Sequence, residues 1–186
     1  MSKIALSPNA GGTGTLTIAA PNTNSDRTLT LPDNSGTLLS SASNITAQAM
    51  NGPAFSAYSS GTQSTTSGVA TKVIYNTEAF DTASCFDSTT NYRFTPSVAG
   101  YYQINAAVQY QGTAAASSTF SVQLYKNGSL WIQTSTSSIQ YAQPFVSNII
   151  YLNGSTDYVE VFAQHFGGGS QNIIGSLFCG ALVRGA

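Results

Sequence analysis

Charged residues are scarce in this sequence of 186 residues. Six are basic and seven are acidic, and together they make up 7% of the chain, against about 25% in an average soluble domain. They are scattered singly, so no basic stripe could bind a nucleic-acid backbone and no basic helix could lie on a lipid surface. We therefore expect no nucleic-acid partner and no membrane insertion.

Long apolar runs and collagen-like repeats are also missing. No window approaches the roughly 18 apolar residues of a transmembrane helix, and the first residues, MSKIALSPNAGG, lack the apolar run of a signal peptide. This indicates a protein that is made and kept in a cytoplasm, at least at first. The absence of a Gly-X-Y repeat excludes a collagen stalk.

Cysteine is rare, and its spacing does not suggest a metal site. Cys85 and Cys179 lie far apart in the sequence and belong to no CxxC or CxxH pair, so we expect no bound metal at them. They are interpreted as two small buried side chains, with a disulfide as the open alternative.

What the sequence does contain is the pattern of β-strands. The aromatic fraction of 11% favours a folded β protein over a disordered one, and no segment carries a helical apolar stripe with a period of 3.6 residues. Apolar side chains alternate with more polar ones, as in the strands of a sandwich. The apolar positions are Tyr102, Ile104, Ala106, Val108 and Tyr110, then Phe120, Val122 and Leu124, then Val159, Val161 and Ala163, and finally Phe178, Gly180 and Leu182.

Two regions are predicted, residues 1–51 and residues 52–186. In the first, residues 15–18 (TLTI) and 28–31 (TLTL) are two similar short alternating segments, which suggest an imperfect repeat of short strands. Its few apolar residues cannot give fifty residues a core of their own. We therefore expect this region to need partners, and we call the second region the head.

Turns and loops alternate along the head. Asn127-Gly128 and Asn153-Gly154 are dipeptides that tolerate positive φ at tight reversals, whereas residues 112–118, 138–143 and 167–172 form looser connections. If consecutive strands are antiparallel, these three loops gather at the end opposite the C-terminus, which is the natural contact surface. The candidate receptor-contact residues are Tyr141, Gln143, His165, Gln171 and Asn172.

No arrangement of residues predicts catalysis, and we expect that the protein is not an enzyme. His165, with Ser170 close by, has no carboxylate near it in sequence to orient the ring, so it is interpreted as an exposed or loop-supporting histidine. Residues 167–170 (GGGS) lack the Lys-Ser/Thr of a phosphate loop. The acidic pairs are interpreted as solvated turn carboxylates: Asp81 with Asp87, and Asp157 with Glu160.

Trp131 and Tyr141 are large aromatics whose environment the sequence leaves open. Aromatic faces with neutral amides nearby suit sugar rings. For Trp131 a core position is the favoured interpretation. For Tyr141, in a Gln-rich loop, exposure and burial are equally favoured.

The head resembles a known family, the globular heads of the complement recognition component and adiponectin, which belong with the tumour-necrosis-factor-like jelly rolls. The resemblance covers about residues 53–184. It rests on the order and spacing of residues 53–57 (PAFSA), 72–76 (KVIYN), 92–96 (YRFTP), 100–102 (GYY), 127–128 (NG) and 176–180 (SLFCG).

This resemblance implies a jelly-roll β-sandwich of about ten strands that assembles as a homotrimer. Tyr102, Tyr151 and Phe178 are then candidates for the trimer core, with ordinary protomer core as the equally weighted alternative. Some family members hold calcium at the apex through acidic loops. The three long loops here contain no Asp or Glu, so we expect no calcium and no other cofactor.

Residues 12–39 resemble stretches of bacteriophage tail-fibre and other fibre proteins. Joined to a trimeric head in a charge-poor chain, they predict a virion fibre or spike. Its residues 1–51 would attach to other virion proteins, and its head would bind a glycan or protein on the host surface. The alternative is a structural decoration or baseplate protein whose head binds other viral chains, since the fold does not choose between the two.

Overall fold

The computed structural model describes residues 11–14, 17, 22, 24–26, 28, 52–111, 118–137 and 141–186. The chain divides into two compact units, residues 1–40 and 41–186. The few residues described in the first unit are exposed. Most of the two predicted short strands near residues 15–18 and 28–31 lies outside the described residues, as do the residues just before the boundary predicted at residue 52.

Thirteen β-strands and no helix are found among the described residues of the head. In chain order they are β1 (Ala54–Tyr58), β2 (Gln63–Thr65), β3 (Thr71–Lys72), β4 (Thr77–Asp81), β5 (Phe86–Asp87), β6 (Arg93–Phe94), β7 (Ala99–Gln111), β8 (Thr119–Lys126), β9 (Ser129–Ser137), β10 (Tyr141–Ala142), β11 (Phe145–Asn153), β12 (Val159–Phe166) and β13 (Gln171–Gly185). The predicted all-β class is confirmed, although several short segments raise the number of strands above the expected ten.

The strands form two antiparallel sheets. In sheet A, the order is β4-β1-β13-β7, with β10 and β11 both pairing with the far side of β7 and β2 pairing with β13. In sheet B, the order is β5-β6-β12-β8-β9, with β3 also pairing with β12. Among the described residues, β11 is therefore an edge strand of sheet A, and β9 is an edge strand of sheet B.

The core lies between the two sheets and is rich in aromatic rings. Phe55 of β1 stacks on Phe94 of β6, with ring centroids 4.4 Å apart, and meets the edge of Phe178 of β13 at 4.8 Å. The alternating residues predicted for β7, β8 and β12 are all buried here. Period-two alternation therefore identified the inner face of these strands correctly, because successive side chains of a strand point to opposite faces.

A tight hairpin joins β8 to β9 at Asn127-Gly128. Both residues have positive φ, 53° and 77°, and Lys126 pairs directly with Ser129, as in a two-residue hairpin of the primed turn types. At Asn153-Gly154 only the glycine has positive φ, 71°, and a longer turn carries the chain from sheet A to sheet B.

Candidate functional site

The strand ends that flank the three predicted loops lie at one end of the sandwich. Antiparallel pairing places Asn172 beside Gln111, and Phe166 beside Thr119. The Tyr110 hydroxyl donates to the carbonyl oxygen of Ser121 at 2.7 Å and so joins the two sheets at this end. We call it the distal end. Residues 112–117 and 138–140, which form most of two loops, lie outside the described residues.

At the opposite end, which we call the proximal end, the chain enters the head and the last strand, β13, finishes. The amide of Leu182 in β13 donates to the carbonyl oxygen of Pro53 at 3.0 Å, and Gly185 pairs with Gly100 at the start of β7. The flanking strand ends of the loops therefore lie opposite the C-terminal end of β13, as the antiparallel count predicted.

Three of the five candidate contact residues are exposed at the distal end. Tyr141 is 59% exposed, and Gln143 and Asn172 are exposed as well. Their role in receptor binding stays a prediction. Val69 and Phe166, about half exposed at the same end, were missed because isolated apolar residues beside turns carry no periodic signal.

The other two candidates, His165 and Gln171, are buried, so their prediction as surface contacts is wrong. The His165 ring is fully buried, packs against Tyr110 and Phe120 at centroid distances of 6.3 and 6.1 Å, and places Nε2 3.4 Å from the Thr65 carbonyl oxygen. The physical reason is that β12 extends to Phe166 and β13 begins at Gln171. Both side chains therefore sit at inner-facing positions of strands.

Two of the three trimer-core candidates are interior residues of the protomer, so that prediction is wrong for them. Tyr102 and Phe178 are fully buried between the sheets, where no neighbouring copy could reach them. The Tyr102 hydroxyl donates to the Val98 carbonyl oxygen at 2.7 Å, and burial raises the pKa of this phenol to about 12. Tyr151, in contrast, is 41% exposed, and its role at a trimer contact stays a prediction.

The outer face of sheet A exposes large apolar side chains. Tyr101 and Tyr151 are directly paired across β7 and β11, with ring centroids 5.4 Å apart. Ile149 and Val183 are exposed apolar residues of this face near them, and Leu177 is exposed further along β13, where it pairs with Ala107. A cavity of about 540 Å³ opens at the proximal end of the face and is lined by Tyr101, Ile149, Val183, Arg184, Gly185 and Ala186. An apolar surface of this kind is typical of an interaction site.

Trp131 is 53% exposed, so the predicted core position is wrong. A β-bulge in the β8–β9 pairing pairs Leu124 with Ile132 but Tyr125 with Leu130, which leaves Trp131 as the extra residue. Its indole Nε1 donates to Asn148 Oδ1 of β11 at 3.3 Å. The ring thus lies across the gap between the two edge strands, β9 and β11.

Lys126 contacts both Trp131 and Tyr151. Its ammonium donates to the Tyr151 carbonyl oxygen at 2.8 Å, lies 3.1 Å from Asp157 Oδ2, and sits 5.8 Å from both the Trp131 and Tyr151 ring centroids. The Asn127 amide, together with Lys126, holds the pKa of Asp157 below its usual value. Lys126 therefore links Trp131 to Tyr151, whose ring packs on that of Tyr101.

The outer face of sheet B is polar and bonded to itself. Gln123 of β8 donates through Nε2 to Gln133 Oε1 of β9 and to Gln164 Oε1 of β12, each at 3.0 Å, and Gln164 Nε2 donates to the Gly68 carbonyl oxygen at 3.0 Å. Side-chain amides therefore form a row across three strands. The two outer faces differ: sheet A exposes apolar rings, and sheet B carries paired amides beside the Lys72–Glu160 ion pair.

The carboxylates of the head are occupied within the head. Glu160 is buried and forms an ion pair with Lys72, so its interpretation as a solvated turn carboxylate is wrong. Asp87 accepts hydrogen bonds from the backbone amides of Thr89 and Thr90 at 3.0 and 2.9 Å, which lowers the pKa of Asp87.

Among the described residues, no group of three or more His, Cys, Asp and Glu side chains could hold a metal ion. Within the same residues, no helix is long and apolar enough to cross a membrane.

The two cysteines are free. Cys85 is buried at the proximal end of the core, and Cys179 is half-buried in β13, where burial raises its thiol pKa. The disulfide left open by the sequence is absent.

The head is similar to solved structures, although comparison of the sequence finds no match. No protein-family model and no curated protein matches the chain. The globular domain of zebrafish complement 1qA superposes with a TM-score of 0.53 at 16% identity, covering 72% of this chain and 99% of that chain. Eiger TNF from S. frugiperda superposes with a TM-score of 0.55 at 15% identity, covering 72% and 95%.

A third similar structure is PRD1 vertex protein P5. It has a TM-score of 0.54 at 16% identity, and the match covers 72% of this chain and 74% of that chain. The head has the same kind of fold as these structures, a jelly-roll β-sandwich of two antiparallel sheets. At these identities the likeness establishes only the fold of the head. The function of the head has to be argued from the residues on its surfaces.

Proposed function

We propose that the protein is a virion fibre or spike of a bacteriophage, whose trimeric jelly-roll head binds a receptor on the host surface. Residues 1–51 would attach it to other virion proteins, and its location would be the virion. The observation that carries this proposal is the division of the head into a distal end, where the loop-flanking strand ends meet, and a proximal end, where the chain enters at Pro53. A scaffold that presents loops away from its attachment is suited to recognition.

The exposed apolar face of sheet A supports the homotrimer. Tyr101, Ile149 and Val183 are each more than 40% exposed, and exposed aromatic and aliphatic clusters favour burial against another subunit. Threefold symmetry would also present three copies of the distal end to one cell surface, so that weak single contacts add up to useful avidity. The fold likeness to PRD1 vertex protein P5 is compatible with a place on a virus particle.

Binding without catalysis is part of the proposal. His165, the sole histidine of the sequence, is packed between aromatic rings and faces a backbone carbonyl group rather than a carboxylate. It is thereby withdrawn from any surface where a substrate could bind. We accordingly assign no catalytic residue and no cofactor.

The test is binding of the fluorescently labelled full-length protein to intact bacteria that the particle infects. We expect Tyr141→Ala and Asn172→Ala to reduce cell binding, while the oligomeric state stays as in the unchanged protein. Ser129→Ala, at an exposed position of the proximal end, serves as the matched control and should bind normally. Equal binding by all three variants would contradict a receptor site at the distal end.

A second candidate function is a structural virion protein whose head packs on other viral chains. The exposed apolar pair Val69 and Phe166 at the distal end favours it, because a buried protein contact has use for such side chains. Cryo-electron microscopy of the particle separates the two: free distal ends support receptor binding, and distal ends buried against neighbouring proteins support the structural role.

A further inference from the structure

The aromatic edge and the cavity of the outer face of sheet A have complementary features. The aromatic edge is the surface formed by Leu130 and Trp131 of β9, and it exposes about half of one indole side chain and half of one aliphatic side chain. The cavity, of about 540 Å³, is lined by Tyr101, Ile149, Val183 and the chain from Arg184 to Ala186. Its volume lies within the range of about 300–1,000 Å³ that accepts molecules larger than an indole ring.

The two surfaces also have the relationship that a closed ring needs. Subunits in a ring of three use a heterologous contact, in which one surface of each copy meets a different surface of the next. The β9/β11 edge and the outer face of sheet A are different surfaces of one protomer that meet along β11, an edge strand of sheet A. Each protomer thus has one surface with an exposed indole, the β9/β11 edge, and another with a cavity, the outer face of sheet A.

The positive charge of Arg184 also favours pairing of the cavity with the aromatic edge. Lys72 and Lys126 have carboxylate partners, and Arg93 stacks on Tyr158 at 4.2 Å. Arg184, on the rim of the cavity, has neither a carboxylate nor a ring partner among the described residues of its own chain. A guanidinium with no anion near it is suited to stacking on the face of an aromatic ring, and tryptophan is the strongest such partner.

We propose that Trp131 of each copy inserts into the cavity of the next copy around the threefold axis, where its indole stacks against Arg184. The inference rests on the proposed trimeric head and adds which surfaces meet in it. Lys126, Asn148 and the bulge of β9 already hold the indole in one orientation. The ring therefore loses little side-chain freedom on insertion, which favours association.

The chain carries its own probe of this contact, because Trp131 is its single tryptophan. We expect the fluorescence of the full-length trimer to be blue-shifted and protected from acrylamide. On dilution to the dissociated protein the emission should shift to the red and the protection should be lost, with an unchanged far-ultraviolet circular dichroism spectrum. Sedimentation velocity on the same samples gives the oligomeric state independently.

Variants test the two flanks separately. Trp131→Ala should weaken each contact by about 30-fold, the effect of a hot spot of about 2 kcal/mol at 1.4 kcal/mol per tenfold. Val183→Glu should weaken it from the cavity side, and Arg184→Gln should weaken it less. Tyr141→Ala removes an aromatic ring of similar exposure at the distal end and serves as the matched control.

A mixing experiment checks that the two flanks are different surfaces. Trp131→Ala keeps an intact cavity, and Val183→Glu keeps an intact indole. Mixing the two variants should therefore restore one native contact and give a heterodimer that neither variant forms alone. Failure of the mixture to associate, with both variants folded, counts against the insertion.

The outcomes distinguish the two proposals. A trimer whose Trp131 stays fully open to acrylamide, and whose Trp131→Ala variant assembles as well as Tyr141→Ala, overturns the insertion and leaves the trimeric head standing. Protection of Trp131 that appears only when a soluble glycan is added to the trimer also overturns it, since the surface would then bind a ligand. A chain that is monomeric at every concentration removes both.

Discussion

Replacing Gly154 by alanine should destabilise the head much more than the same change at Gly128. Both glycines follow an asparagine in a proximal turn, and both have positive φ, 71° and 77°. Alanine in this region costs about 1–2 kcal/mol at either position. Stiffening of the unfolded chain offsets about 0.4–1 kcal/mol of that cost, again at both positions. These contributions cancel when the two variants are compared.

The difference arises from what a new methyl group would meet. At Gly128 the nearest atom is the Tyr158 hydroxyl oxygen at 3.5 Å, an ordinary contact. At Gly154 the methyl carbon would overlap the amide nitrogen of Ala99 and lie 2.5 Å from the carbonyl carbon of Val98. These are backbone atoms, so the start of β7 must move.

That movement would break the pairing of Ala99 with Asn153. It would also break the hydrogen bond that the Ala186 amide donates to the Ala99 carbonyl oxygen at 3.2 Å. Two such hydrogen bonds contribute about 1 kcal/mol each. We therefore expect Gly154→Ala to lower the free energy of unfolding by about 2 kcal/mol more than Gly128→Ala does.

Urea unfolding of the two full-length variants measures this difference. It should be followed by Trp131 fluorescence and circular dichroism at one fixed protein concentration, because association adds to apparent stability. With a urea dependence of about 1–3 kcal/mol/M, the midpoint of Gly154→Ala should fall about 1 M below that of Gly128→Ala. Coincident midpoints would refute the inferred close approach of the turn to β7.

Three further predictions concern the proximal cluster, the carboxylates and the thiols. Lys126→Met should lower the free energy of unfolding by about 2 kcal/mol, because it removes a charged hydrogen bond and a partly buried ion pair. A double-mutant cycle with Asp157→Asn, measured by urea unfolding, should give a coupling energy of about 1 kcal/mol. Additive effects of the two substitutions would contradict this prediction. Because Asp87 and Asp157 have lowered pKa values in the folded state, their stabilisation is complete above about pH 4, near the unfolded pKa, and is lost as the pH falls through the folded values; a pH series of urea midpoints should show a smaller acid loss for Asp157→Asn than for the unchanged protein. In a time course with Ellman's reagent, Cys179 should react slowly, since burial raises its pKa, and Cys85 should react only in denaturant; two thiols reacting together in the folded protein would be inconsistent with this placement.

The alternating pattern was sufficient where a strand is regular. It identified the buried face of β7, β8 and β12, and continued two residues beyond Ala163 it would also have placed His165 inside. The error there came from ending the strand at the first polar residue, although a sandwich can bury an imidazole that packs on rings. Gln171 was mistaken for a loop residue because the pairing of β13 shifts between Ile174 and Leu177, which interrupts the alternation before it reaches Gln171.

Irregular pairing explains the remaining errors. Trp131 stands in a run of three apolar residues, and only the bulge that pairs Tyr125 with Leu130 decides which of them turns outward. A bulge depends on the partner strand, so the local sequence does not encode it alone. Tyr102 and Tyr151 are both aromatic residues of alternating strands. Their opposite environments follow from the pairing of Tyr151 with Tyr101 and not with Tyr102.

The row of amides on sheet B has a consequence for crowding. Gln123 donates to Gln133 and to Gln164, and Gln164 donates to Gly68, so the row is already bonded within the protomer. When many heads stand side by side, this row offers a neighbour fewer free donors than three unbonded glutamines would. The row would act as a spacer of low adhesion, and because amide groups are uncharged, its contribution should depend little on salt.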